Sequence, residues 1–180
     1  MVMGIIYTHH GIYVDNMEVV QFGANGKDKM SSTMKSGRVT KCKLEKFFLE
    51  GGKLYRYRYG MKKRYLVTQW FGTCTTAKRD PPEVVLHRAN FLLQQHDGFG
   101  EYHLFQRNCE DFALYCKTGK VVDGGASSQV IQRGFGTVLG GFFMDIGLND
   151  KARSVAVEDL MRERQPITQT DQLMMNVASN

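Results

Sequence analysis

The chain has 180 residues, 42% hydrophobic and 23% charged, with 3 Pro and 19 Gly, a size that suits one globular domain with a sizeable core. Aromatic residues make up 11%, which excludes wholesale disorder. The formal charge of +6 is concentrated between Lys27 and Arg64, where only Asp28, Glu45 and Glu50 oppose the basic residues; such a face attracts anionic membrane or nucleic acid, or simply aids solubility.

Residues 5–14, rich in Ile, Tyr and Val, predict a strand, and Asp15-Asn16 a turn. Residues 18–22 read as its hairpin partner and residues 23–37, rich in Gly, Ser and Lys, as a loop. Residues 43–49 predict a short helix or loop segment stopped by Gly51-Gly52. In residues 53–59, Tyr55, Tyr57 and Tyr59 alternate with Leu54, Arg56 and Arg58, the period of a strand. Residues 64–71 form a further apolar run, strand or short helix. Asp80 is placed to cap a helix opened by Pro81-Pro82, with Val84, Val85, Ala89, Leu92 and Leu93 at helical spacing, ending near Asp97-Gly98. Residues 102–105 predict a short strand. Asn108 then caps a helix that runs to Lys117 and stops at Gly119.

Beyond Gly124 the composition shifts. Four glycines interrupt the apolar residues 135–148, and Arg133 and Asp145 bracket them too closely for a span of ~20 apolar residues. Residues 151–164 suggest a helix and residues 165–180 a loose tail. The expected division is a catalytic core over 1–124, a Gly-rich segment with a C-terminal helix packing on it over 125–164, and a flexible tail over 165–180. Residues 1–7 lack the length and charged start of a signal peptide, so the expected setting is cytoplasmic, with free thiols and peripheral membrane contact at most.

The four cysteines, Cys42, Cys74, Cys109 and Cys116, form no C-x-x-C pair, and His87, His96 and His103 fit no standard zinc spacing. No metal or cofactor is expected. Cys109 opens the helix after Asn108 and shares a face with Phe112, Ala113 and Cys116. A helix N-terminus carries about half a positive charge, which favours a thiolate. Glu110 and Asp111 oppose that and are expected to point away from the packed face. A buried structural cysteine explains the same spacing. On the first strand His9, Gly11 and Tyr13 share a face. His9 meets Gln21 on the next strand if the turn holds an odd number of residues, such as Asp15-Asn16-Met17. Gln21 would then bond one ring nitrogen of His9 and leave the other to take the Cys109 proton. An ordinary strand histidine is the bland alternative.

The run His9-His10-Gly11-Ile12-Tyr13-Val14 resembles the H-x-G-I-Y-V motif of the lecithin:retinol acyltransferase-like family, and Asn108-Cys109-Glu110-Asp111-Phe112 its N-C-E-x-F motif. Gly72-Thr73-Cys74, residues 81–89 and residues 108–119 are similar to the plant branch, and Asp145-Ile146-Gly147 and Val157-Glu158-Asp159-Leu160 resemble its C-terminal end. The resemblance implies an α+β, permuted papain-like thiol fold. It also implies a thioester acyl-enzyme formed from a phospholipid or other lipid acyl donor, which passes its acyl group to water, an amine or an alcohol. Cys109 matches the nucleophile and His9 the base. Gln21 stands where the family has a second histidine, and an amide can orient His9 in its place. His10 falls at a position usually aromatic in animal members. Only eight residues precede His9, so the family's first strand is expected to be missing, which exposes a sheet edge or marks a truncated product, and a partner chain could take its place. A catalytically silent interaction or membrane-surface module is the second reading. Nucleic-acid binding through Tyr55, Arg56, Tyr57, Arg58 and Tyr59 is the third and least favoured.

Overall fold

The computed structural model describes residues 8–24, 37–47, 52–66, 73–95, 98–103, 107–123 and 145–164. Most of residues 23–37, the apolar stretch up to residue 144, the tail over 165–180, and residues 1–7, on which the expectation about the first strand turns, lie outside them. The architecture is mixed α/β, with two small antiparallel sheets and a few helices.

The first sheet has the order β1 (Gly11–Tyr13), β2 (Glu18–Ala24), β3 (Gly37–Lys43). The β1–β2 connection is the expected three-residue turn. Val14 N–H donates to the Glu18 carbonyl at 3.0 Å around Asp15-Asn16-Met17, and Asn16 and Met17 take left-handed φ values of 44° and 61°. The resulting register sets Gly11 opposite Gln21 and Tyr13 opposite Val19. Gly11 is required there. A Cβ on it would lie 2.6 Å from Val19 Cγ1 and 2.7 Å from the Phe47 ring.

Strand β3 was not legible in the sequence. Val39 is its one buried large apolar side chain, and Arg38, Lys41 and Lys43 are exposed. It forms because β2 offers it a seven-residue ladder, Glu18↔Lys43 to Ala24↔Gly37, and Glu18 pairs with Lys41 at 2.9 Å and Lys43 at 3.3 Å.

Helix α1 (Leu44–Phe47) follows directly, and α2 (Lys63–Leu66) resolves the next ambiguity toward helix over its first turn. Residues 53–59 do not form the expected laddered strand. Arg58 makes an isolated parallel bridge to Cys74, while Tyr57 and Tyr59 turn inward onto Ala77, Leu114 and Ile146. The alternation was real, but its apolar side is satisfied by α4 and the 145–148 turn rather than by a sheet. Residues 102–105 likewise yield only a bridge from His103 to Arg107 among the described residues.

Helix α3 (Pro82–Gln94) buries Val85, Ala89 and Leu92. Asp80 does not cap it, since the N-cap position is Pro81 and has no side-chain cap. Asp80 instead accepts from Arg88 at 2.6 Å, and its N–H donates to the Lys117 carbonyl at 2.7 Å, tying the start of α3 to the end of α4. Helix α4 (Cys109–Thr118) packs on β1, β2 and α3. Phe22, Phe99 and Phe112 interlock beneath it, with Phe22–Phe99 centroids 5.1 Å apart and Phe99–Phe112 5.5 Å.

Residues 151–164, expected to be helical throughout, divide. Strand β5 (Arg153–Ser154) pairs with β4 (Lys120–Val121), and only α5 (Val157–Arg164) is helical. Val157 and Leu160 of α5 enter the main core, and the Tyr115 hydroxyl donates to the Val155 carbonyl at 3.2 Å. Among the described residues no helix is long and apolar enough to cross a membrane.

Candidate active site

Helix α4 begins in a full capping box. Asn108 Oδ1 accepts from Glu110 N–H at 2.8 Å and Asp111 N–H at 3.4 Å, and Asp111 Oδ2 accepts from Asn108 N–H at 3.1 Å. This fixes Cys109 as the first helical residue, where the helix dipole favours an anion. Gly119 closes the other end in the left-handed conformation at φ 65°. Cys109 is fully buried, and its Sγ lies 4.0 Å from the carbonyl oxygen of Thr8, the residue before His9. Helix start and strand entry therefore meet, although 101 positions separate them.

His9 and Gln21 meet as the odd turn requires. Their Nε2···Oε1 separation is 2.5 Å. A carbonyl oxygen only accepts, so His9 Nε2 carries the hydrogen. In the neutral ring Nδ1, itself buried, is then the basic nitrogen. Gln21 is held in that orientation from β3, for its amide nitrogen donates to Cys42 Sγ at 3.4 Å. The Phe47 ring lies against His9, with centroids 5.0 Å apart and planes 30° from parallel. Cys42 and Phe47 were not singled out from the sequence. Their place depends on β3 and on the tight turn into α1, and neither leaves a period in the sequence.

Glu110 overturns an expectation. It was expected to point away from the packed side, yet it is 1% exposed. Helix α4 is covered on nearly every side, by the Phe22 core on one and by Tyr57, Tyr59 and Ile146 on another, so it has no solvent face for residue 110. Burial pushes the Tyr57 and Tyr59 hydroxyls up, seconded by the Glu110 charge at Tyr57 and by Cys116 and then Glu110 at Tyr59, so both remain protonated. Burial also pushes up the thiols of Cys42, Cys74 and Cys116. Among the described residues no group of three His, Cys, Asp or Glu side chains is placed to hold a metal ion.

The profile of the lecithin retinol acyltransferase family matches residues 1–122. The chain belongs to that family. It is 39% identical over 143 residues to Protein LEAD-SENSITIVE 1 of Arabidopsis thaliana, an alignment that covers 65% of this chain and 54% of that protein. The chain thus spans about half the length of that curated relative. No solved structure matches significantly.

His10, on the opposite side of the strand from His9, sets an edge of its ring against Tyr57 with centroids 5.7 Å apart. Burial first, and the neighbouring His9 second, push it down from 6.5 to about 3. Between those values the unfolded chain holds a proton that the folded chain does not. Its contribution is therefore complete above pH 6.5 and is lost as the pH falls toward 3, at roughly 1 kcal/mol per pH unit. Urea midpoints measured from pH 7 to 4.5 should fall less steeply in His10→Phe than in the wild type. Parallel curves would refute this account of His10.

Proposed function

We propose that the chain performs cysteine-dependent acyl transfer or hydrolysis on phospholipid or other lipid acyl esters, on a permuted papain-like arrangement of α4 and the β1–β2 hairpin. Cys109 Sγ gives its proton to His9 Nδ1 and attacks the acyl carbonyl carbon. The tetrahedral intermediate collapses, the carbon–oxygen bond to the glycerol backbone breaks, and the departing alkoxide takes the proton back from His9. The acyl group is left as a thioester on Cys109. Water, an amine or an alcohol then attacks that carbonyl, with His9 accepting its proton, and the thiol is regenerated.

The observation that carries this reading is the His9–Gln21 hydrogen bond. It selects the tautomer whose basic nitrogen is Nδ1 and restrains the ring, which is the task of the orienting residue in nucleophile–base pairs. The full burial of Cys109 favours the second reading, a silent interaction or membrane-surface module, because a lipid ester must reach the sulfur to react.

Trapping separates the two. The full chain is incubated with phosphatidylcholine carrying an isotope-labelled acyl chain, quenched in acid, and analysed by peptide mass spectrometry. The expected result is one acyl increment on the Cys109 peptide, released by neutral hydroxylamine. Folded protein with no increment on Cys109 over a range of acyl donors would leave the silent module as the reading.

A further inference from the structure

We infer that the exposed basic and aromatic face of residues 52–66 docks on an anionic lipid bilayer and so brings the Cys109 site to a membrane surface. This deepens the proposed function by naming where the site meets its lipid, and its test does not depend on catalysis.

Three observations carry it. The first is charge. No acidic residue occurs between Glu50 and Asp80, and Asp80 is held by Arg88 at 2.6 Å. Lys53, Arg56, Arg58, Lys62, Lys63 and Arg64 are all exposed, and none pairs with a carboxylate among the described residues. The basic belt read from the sequence therefore divides in two. Lys41 and Lys43 are compensated by Glu18, and the later cations have no such partner among the described residues. Uncompensated cations of this density draw a protein to an anionic bilayer.

The second is the apolar component. Tyr55 is 74% exposed, Leu54 57% and Tyr65 40%, and the Arg64 guanidinium lies 5.0 Å from the centre of the Tyr65 ring. Tyrosines with an apolar body and a polar tip suit the headgroup region. A single-stranded nucleic acid would need successive rings projecting together. Here Tyr57 and Tyr59 turn inward, with ring centroids 5.0 Å apart, and cannot stack on bases.

The third is position. Tyr57 lies edge-on to His10 and its hydroxyl donates to the Cys74 carbonyl at 3.0 Å. The inner side of this segment thus walls the His9-His10 entry to β1, while Arg56 and Arg58 are exposed. Docking the outer side would set the site beside the bilayer surface.

The test is sedimentation of the full chain with vesicles of pure phosphatidylcholine and of phosphatidylcholine with 30% phosphatidylserine (the ~30% being a routine anionic fraction). Binding should require the anionic lipid and weaken with salt. Arg56→Glu, Lys62→Glu and Lys63→Glu should each lower the partition coefficient on the order of fivefold, and Tyr55→Ala should lower it measurably. Lys151→Glu makes the same charge change at an exposed site elsewhere and should cost less than about twofold. The inference is overturned if both vesicles pellet the protein equally, or if Lys151→Glu costs as much as the others. It is equally overturned if the wild type ignores vesicles and binds a single-stranded oligonucleotide. Failure of the thioester trap together with intact vesicle binding would remove the catalytic reading alone.

Discussion

His9→Ala should lower acyl transfer about a hundred- to ten-thousandfold and remove any alkylation advantage of Cys109, while Cys109→Ala abolishes the acyl adduct. An ordinary thiol, with a pKa of ~8.5, is only a few per cent thiolate at pH 7. In the proposed mechanism two features raise that fraction against the burial of Cys109. The α4 N-terminus favours the anion, and Nδ1 of His9 would take the proton. The measurement is the pH profile of iodoacetamide labelling, resolved by site. In the wild type Cys109 should label well below pH ~8.5, apart from Cys42 and Cys74, whose thiols burial pushes up. In His9→Ala the Cys109 profile should move toward theirs. Gln21→Ala should cost about tenfold, because the ring loses both its orientation and the bond that fixes Nδ1 as its basic nitrogen, and Gln21→His should restore most of that loss. If Cys109 titrates like Cys42 in the wild type, the pair has no chemistry.

The elements nearest this chemistry were the most legible in the sequence, for a local reason. Asn108 and Gly119 state both ends of α4 through caps that need no distant partner, whereas the capping role of Asp111 was not read from the sequence. The turn Asp15-Asn16-Met17 fixes by parity alone that His9 and Gln21 share a side. What stayed hidden depended on remote contacts. Strand β3 draws its stability from β2 and from Glu18 rather than from apolar side chains of its own, so Cys42 behind Gln21 could not be placed. The burial of Glu110 follows from Tyr57 and Tyr59 covering α4 from a segment fifty residues earlier, and no helical period encodes that cover. Asp80 shows the same limit from the other direction. Its sequence position suits a cap, but Arg88, two turns on, offers it an ion pair at 2.6 Å.

Asp145→Ala should destabilise the protein by about 3 kcal/mol, the largest stability effect expected from a polar residue here. Asp145 is buried, and its two oxygens accept from Thr76 N–H at 3.0 and 3.3 Å, from Thr76 Oγ1 at 2.6 Å and from Gly147 N–H at 3.0 Å. Alanine leaves two backbone N–H groups and a hydroxyl without that acceptor, in a place too tight for ready repair. A Cβ on Gly147 would already lie 2.3 Å from the Ala77 nitrogen. For a chain of this size the loss should lower Tm by roughly 6–12 °C. Asp145→Asn keeps one acceptor and turns an NH2 group toward donors, so it should cost less than alanine but more than about 1 kcal/mol. Thermal unfolding of both variants measures this, and a Tm within about 2 °C of the wild type in Asp145→Ala would show that the contact is dispensable. The functional readout is separate. Asp145 joins residues 145–148 to the Thr75–Ala77 turn, and Ile146 then packs with Tyr57, Tyr59 and Leu114 along α4. If that contact holds α4 in place, Cys109 labelling in Asp145→Ala should lose its advantage at temperatures where the hairpin pair His9–Gln21 is intact. The C-terminal segment would then support the helix that bears Cys109 through Ile146 and Leu114.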